Sequence, residues 1–250
     1  MDWDIKELAA CYGRREILHG LTFAVPQGSF TAVIGRNGSG KSTLVASLAG
    51  LQPYRGEITV GGVSLALLRG RERARTVSLL PQQIRAPHVT VEELVRFGRS
   101  PYLAMGRGLD AVDLRHVEEA LSAASLDALR TRYVDTLSGG ERRRAYLGMT
   151  LAQDAPMMLL DEPTANLDLA VEASLWRIVK RRQTKRGRTV IAVMHDLTDA
   201  VRLADRILLL DGGAIRFSGT TADFLRTTLA EDVMSVRRYT TPEGILFHAR

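Results

Sequence analysis

Three short stretches of this 250-residue chain carry residue types whose spacing points to phosphate chemistry. The first, Gly35-Arg36-Asn37-Gly38-Ser39-Gly40-Lys41-Ser42, reads G-x-x-x-x-G-K-S after the apolar run Phe30 to Ile34, the pattern of a phosphate-gripping P-loop. Its glycines let successive backbone N–H groups approach an anion, and Lys41 can reach terminal phosphates. Ser42 can offer its hydroxyl to Mg²⁺, and Thr43 completes the set in the first turn of a helix whose positive end faces the same charge. The second stretch, Met157 to Leu160 followed by Asp161 and Glu162, delivers two carboxylates at the end of a buried strand. Asp161 suits a Mg²⁺ ligand, and Glu162 suits a base that polarises a water attacking a γ-phosphate. The third, Leu137-Ser138-Gly139-Gly140-Glu141, places a hydroxyl and two unobstructed backbone N–H groups at a helix start, a second phosphate grip in the same chain. Taken alone, this third stretch also reads as an ordinary turn and helix cap.

The elements that must hold these residues alternate in texture along the chain. From Trp3 to Ile34, short apolar and polar runs broken by Gly13, Gly20 and Pro26-Gln27-Gly28 predict antiparallel strands leading into the P-loop strand. Strands follow at Glu57–Val60 and Thr76–Leu80, with a basic helix at Arg69–Arg75 between them. From Gln83 to about Ala152 the pattern turns helical, opened by the Thr90-Val91-Glu92-Glu93 capping signature and continued by apolar spacing over Asp110–Ala124. Strand and helix then alternate through Met157–Leu160, Asp168–Arg182, Thr189–Met194 and Asp196–Leu203, before a hairpin turning at Asp211-Gly212-Gly213 and a final Pro242-Glu243-Gly244 turn. The fold class expected is α/β: a P-loop core with a mixed, largely parallel sheet, an N-terminal antiparallel β-subdomain and an inserted α-helical subdomain at about residues 83–152. Residues 1–250 form a single nucleotide-binding domain in this reading, with a small C-terminal appendage from about residue 236.

Composition narrows the setting rather than the chemistry. The chain is 45% hydrophobic and 25% charged with a net charge of +6, which fits a polyphosphate, a nucleic acid or an anionic membrane equally well. Cys11 is the only cysteine, so no internal disulfide forms and a reducing compartment is expected. No apolar run approaches the roughly 18 residues of a membrane span, and the start of the chain lacks the pattern of a signal peptide. The basic runs Arg69–Arg75, Arg142–Arg144 and Lys180–Arg188 lack the aromatic interleaving of a nucleic-acid reader and are expected to be solvated faces.

With the P-loop, the Asp161-Glu162 strand end and the Leu-Ser-Gly-Gly-Glu stretch in place, the sequence resembles the ATP-binding-cassette ATPases along essentially its whole length. Tyr12, Gln82, the segment Ala165-Asn166-Leu167-Asp168, and His195 complete the family's marks in order. The resemblance implies ATP and Mg²⁺ as ligands. Tyr12 would stack on adenine, Gln82 would complete the metal and water shell, and His195 would hold the γ-phosphate and the attacking water. Ser138, Gly139, Gly140 and Glu141 would complete the P-loop site of a second copy in a head-to-tail dimer, with Asp168 across the seam. Two further stretches, Val91-Glu92-Glu93-Leu94-Val95-Arg96-Phe97-Gly98-Arg99-Ser100-Pro101-Tyr102 and Gly139–Ala145 with Leu151–Asp154, resemble the importers of ferric siderophores, haem and vitamin B12, with ferric hydroxamate importers the nearest likeness. The chain departs from that group at Val171-Glu172, where a His-Gln pair is common. The partners implied are a second copy and a polytopic permease, which residues 82–102 would contact, and indirectly a periplasmic or lipid-anchored binding protein. The place implied is the cytoplasmic face of the membrane. The reading from a different class is a soluble cassette ATPase acting on DNA or ribosomes. Such proteins generally carry two cassettes or a long coiled-coil insertion.

Overall fold

A computed structural model of the chain describes every residue except Arg14, Ala104, Met105, Asn166, Glu243 and Arg250. Asn166 of the Ala165–Asp168 segment and Glu243 of the last turn therefore lie outside the described residues. In chain order the elements are β1 (Trp3–Tyr12), β2 (Arg15–Val25), β3 (Phe30–Gly35), α1 (Lys41–Leu48), β4 (Tyr54–Val60), β5 (Val63–Ser64), α2 (Gly70–Thr76), β6 (Val77–Leu80), α3 (Val91–Phe97), α4 (Ala111–Ala123) and α5 (Gly139–Gln153). They continue with β7 (Met157–Asp161), α6 (Leu169–Arg186), β8 (Thr189–Val193), α7 (Leu197–Leu203), β9 (Arg206–Asp211), β10 (Ala214–Thr220), α8 (Thr221–Phe224), α9 (Leu229–Met234), β11 (Val236–Thr241) and β12 (Gly244–Ala249).

Two compact units share the chain: residues 1–67, 160–162 and 189–250 make the first, and residues 68–159 and 163–188 the second. The first unit holds an antiparallel sheet ordered β2-β1-β4-β5. The alternating pattern of β1 buries Trp3 and Ile5 on one face, as a period of two requires of a half-covered sheet, and resumes one residue late with Leu8. A register shift after Ile5 marks a bulge at Glu7, which sits at φ 50° and donates its N–H to Thr22 Oγ1 at 3.0 Å. The unit's other sheet runs β10-β9-β3-β8-β7, with only Leu160 and Asp161 of β7 belonging to this unit. β3 pairs in parallel with both β8 and β9, and β10 closes the edge antiparallel to β9. Every residue of β3 and β8 is buried, so both read as unbroken apolar runs rather than alternations. The expected mixed, largely parallel sheet is present in this form.

In the second unit the rest of β7 neighbours β6, and α3, α4 and α5 pack with one another. Thr90 caps α3 by accepting from the Glu93 N–H at 3.2 Å while the Glu93 carboxylate accepts from the Thr90 N–H at 2.7 Å, the reciprocal pair its sequence announces. Gly148 lets α5 pack closely on its neighbours, since a Cβ there would lie 2.8 Å from the end of the Leu126 side chain, which would have to shift. The C-terminal residues form the hairpin of β11 and β12.

Candidate active site

The P-loop is built by a strand that cannot continue. β3 ends at Gly35, whose φ of 148° and position against β9 leave no room for a side chain: a Cβ would stand 2.1 Å from the Leu210 carbonyl oxygen. Gly38 and Gly40 follow at φ 78° and 99°, conformations open to glycine, and Gly40 is the N-cap of α1. The Ser39 N–H donates to the Arg36 carbonyl at 3.2 Å, which tightens the loop, while Arg36, Asn37 and Gly38 stay exposed. The first turn of α1 holds no acidic residue of its own, so the positive end of that helix is not offset from within the helix.

Lys41 is only 5% exposed, and its Nζ donates to the carbonyls of Gly35 at 2.8 Å and Arg36 at 2.9 Å. Burial pulls its pKa below the ordinary lysine value, and the carboxylates of Glu162 and Asp161 offset part of that. Ser42 donates its hydroxyl to Asp161 Oδ1 at 3.2 Å, which joins the start of α1 to the end of β7. All five residues of β7 are buried, and this apolar strand carries Asp161 to the phosphate loop. Glu162 then turns sharply at φ 47°, a left-handed conformation that costs a non-glycine residue about 1–3 kcal/mol and re-aims its side chain. That side chain meets His195, with Nε2 2.7 Å from Glu162 Oε1. His195 follows the buried β8 and precedes Asp196, which caps α7 by accepting from the Asp199 N–H at 2.8 Å. Five of the sequence-selected residues, Lys41, Ser42, Asp161, Glu162 and His195, are thereby linked within one unit. Tyr12 ends β1 in the same unit and is 73% exposed.

The Ser42 hydroxyl and the Asp161 carboxylate are hard oxygen donors, the chemistry Mg²⁺ takes when phosphates and waters supply its remaining ligands. Among the described residues no group of three or more His, Cys, Asp or Glu side chains could hold a metal by itself. The donor set therefore fits a metal that arrives with a phosphate ligand better than a resident one.

The second unit holds the remaining selected residues. Ser138 is the N-cap of α5: its hydroxyl accepts from the Glu141 N–H at 3.3 Å and the Glu141 carboxylate accepts from the Ser138 N–H at 2.9 Å, which lowers the Glu141 pKa. The plain reading of this stretch as a cap is therefore true of the single chain. Gly139 and Gly140 occupy the first positions of α5, and a Cβ added at Gly139 would meet nothing within 4 Å. Asp168 caps α6 by accepting from the Val171 N–H at 2.9 Å, and the Gln82 side chain is exposed after β6.

One residue escaped the sequence reading. Arg143, expected on a solvated basic face, is 4% exposed and donates to the carbonyls of Pro81 and Gln82 at 2.8 and 2.9 Å and of Pro163 at 2.8 Å. It pins the backbone on which Gln82 sits. The only signal was its place one turn into α5, on the side shared with Leu147 and Thr150, which are buried.

A P-loop meeting paired carboxylates and a histidine at the strand ends of an α/β sheet defines a P-loop ATPase. The chain belongs to the ABC transporter family, whose model matches residues 18–165. Over 234 residues it is 36% identical to the ferric enterobactin transport ATP-binding protein FepC of Escherichia coli (strain K12), covering 93% of this chain and 86% of that one. Among solved structures it is similar to a protein described as a metal-chelate type ABC transporter in an inward-facing conformation, with a TM-score of 0.82, 25% identity, and coverage of 98% of this chain and 95% of that chain. It is also similar to an ATP-binding cassette solved as a dimer with ADP and phosphate after hydrolysis, with a TM-score of 0.77, 25% identity, and coverage of 88% and 98%.

Two substitutions test how this geometry is held. Arg143→Ala strands three carbonyls and is expected to destabilise the protein by about 3 kcal/mol in denaturant unfolding, with ATP turnover falling as well. Gly35→Ala forces a Cβ onto the Leu210 carbonyl and should cost roughly 2–4 kcal/mol by the same measurement.

Proposed function

We propose that this chain is the ATP-hydrolysing subunit of an importer that takes up an iron chelate of the ferric siderophore class through a partner permease. The observation that carries the chemistry is the convergence of Lys41, Ser42, Asp161, Glu162 and His195 at one strand edge. The relatives' names and the importer-like stretches in residues 91–102, 139–145 and 151–154 support the chelate class.

In the proposed mechanism the loop N–H groups and the Lys41 ammonium bind the β- and γ-phosphates, with Tyr12 under the adenine. Glu162 accepts a proton from a water as its oxygen bonds to the γ-phosphorus and the bond to the β-phosphate oxygen breaks. His195 orients Glu162 from 2.7 Å, and by family likeness would hold a γ-phosphate oxygen. Ser42 and Asp161, with Gln82 by family likeness, would hold Mg²⁺, which when bound neutralises phosphate charge. Arg36, Asn37, Gly38, Ser39, Gly40 and Thr43 line the loop that grips the phosphates.

Ser138, Gly139, Gly140 and Glu141 of one chain close over the P-loop of a second copy, with Asp168 at the seam. The dimeric cassette noted above supports this pairing, and the transporter names support a membrane partner. Among the described residues no helix is long and apolar enough to cross a membrane. The permease would supply the attachment, at the cytoplasmic face. A periplasmic or lipid-anchored binding protein would deliver the chelate. Residues 83–152 act as the inserted helical subdomain, residues 82–102 as the contact with the permease, and residues 236–250 as an appendage.

Glu162→Gln should retain ATP while hydrolysis stalls, giving a long-lived ATP-bound dimer by size-exclusion chromatography; a monomer with undiminished turnover contradicts the assignment. Lys41→Ala should weaken ATP affinity about tenfold or more in a calorimetric titration. Affinity capture from detergent-solubilised membranes should recover a polytopic permease. Recovery of ribosomes or DNA instead would favour the soluble reading.

A further inference from the structure

Arg181, Lys185 and Arg186 are exposed, as expected of a solvated basic run, but they border a concave surface rather than a convex one. α6 lines a cavity of about 860 Å³ within the second unit, in which Arg177, Arg181, Arg182, Lys185 and Arg186 are opposed by one carboxylate, Glu119 of α4, among the described residues. Their i, i+4 spacing stacks these cations along one side of an 18-residue helix. The compensating acids are already spent. Asp154, behind the cavity, is shared by Arg188 at 2.7 Å, Arg182 at 3.6 Å and Arg186 at 3.9 Å, and Glu119 is paired with Arg186. Arg177, Arg181 and Lys185 have neither an ion-pair nor a hydrogen-bond partner among the described residues. Arg182 is partly buried and donates to the Leu151 carbonyl at 2.6 Å, so it cannot swing into water to relieve the repulsion.

We propose that this cavity is a binding site for a compound carrying more than one phosphate group, separate from the P-loop. Guanidinium forks match phosphate oxygens two at a time, and the hydroxyls of Ser122, Ser125 and Ser174 on the same walls add neutral donors. The apolar surface of Leu151, Ala123 and Ile178 lowers the local dielectric and strengthens attraction to an anion. The volume exceeds what a single phosphate needs and falls in the range of sites for nucleotide-sized ligands. A free polyphosphate and a phospholipid headgroup share this chemistry.

The test uses calorimetric titration of tripolyphosphate at about 150 mM salt, where diffuse surface attraction is screened. In Lys41→Ala protein, whose P-loop is weakened, one site per chain is expected to remain. Adding Arg177→Ser and Arg181→Ser should weaken it about tenfold or more. The same two substitutions with Lys41 intact should leave ATP affinity unchanged. Co-sedimentation with vesicles containing phosphatidylglycerol forms the second arm: capture by vesicles alone, lost in the arginine variant, assigns a headgroup, and tripolyphosphate binding assigns a soluble source. Neither ligand binding, or binding indifferent to the arginines, overturns the proposal. Should the double variant fail to fold, Lys185→Ser at another exposed position makes the same comparison.

Discussion

A partly desolvated ammonium is the constraint around which the first unit is arranged. Lys41 is buried at the start of α1, and a buried cation persists only when oxygen ligands and opposite charges replace its water. Two backbone carbonyls of its own loop and the nearby carboxylates of Asp161 and Glu162 supply that replacement. The loop conformation, the glycines it demands and the placement of β7 beside β8 all serve to bring these groups together. An ammonium has three donors, and two are committed to the loop, so one remains for an incoming phosphate. An arriving anion would also reverse the burial penalty that lowers the Lys41 pKa, which favours the charged lysine in the bound state.

That arrangement was largely legible in the sequence because its parts are local. A P-loop needs an apolar strand, glycines at fixed offsets and a helix, and all three occupy one run of residues from Phe30 to Leu48. Asp161 and Glu162 were readable for the same reason, as polar residues ending a continuous apolar strand. The capping pairs at Thr90 and Ser138 likewise involve partners three residues apart. Sequence patterning also indicated the alternation of β1, the apolar run of β3 and the burial of β7.

What escaped were properties that depend on concavity and distant partners. Arg143 sits in a run of three arginines, and nothing in the run distinguishes the one that turns inward to reach carbonyls near residues 82 and 163. The basic stretch at the end of α6 is the solvated face it reads as, but only the structure shows that α4 and α5 form a concavity along it. A charge run states how many cations there are but not which surface they line. The Leu-Ser-Gly-Gly-Glu stretch shows the converse: within one chain it is a helix cap, and a second role for it requires a partner that a single chain does not contain.

In the proposed dimer one chain carries half of each hydrolytic site, with Lys41 on one copy and Ser138 on the other. Mixing two inactive variants measures this directly. A Lys41→Ala chain lacks the phosphate cation, and a Ser138→Arg chain blocks the facing surface. Each alone should hydrolyse ATP at background rates, while an equimolar mixture should recover activity through heterodimers holding one complete site. Full activity of the Ser138→Arg chain alone, or no recovery on mixing two folded and dimer-competent variants, would contradict the claim.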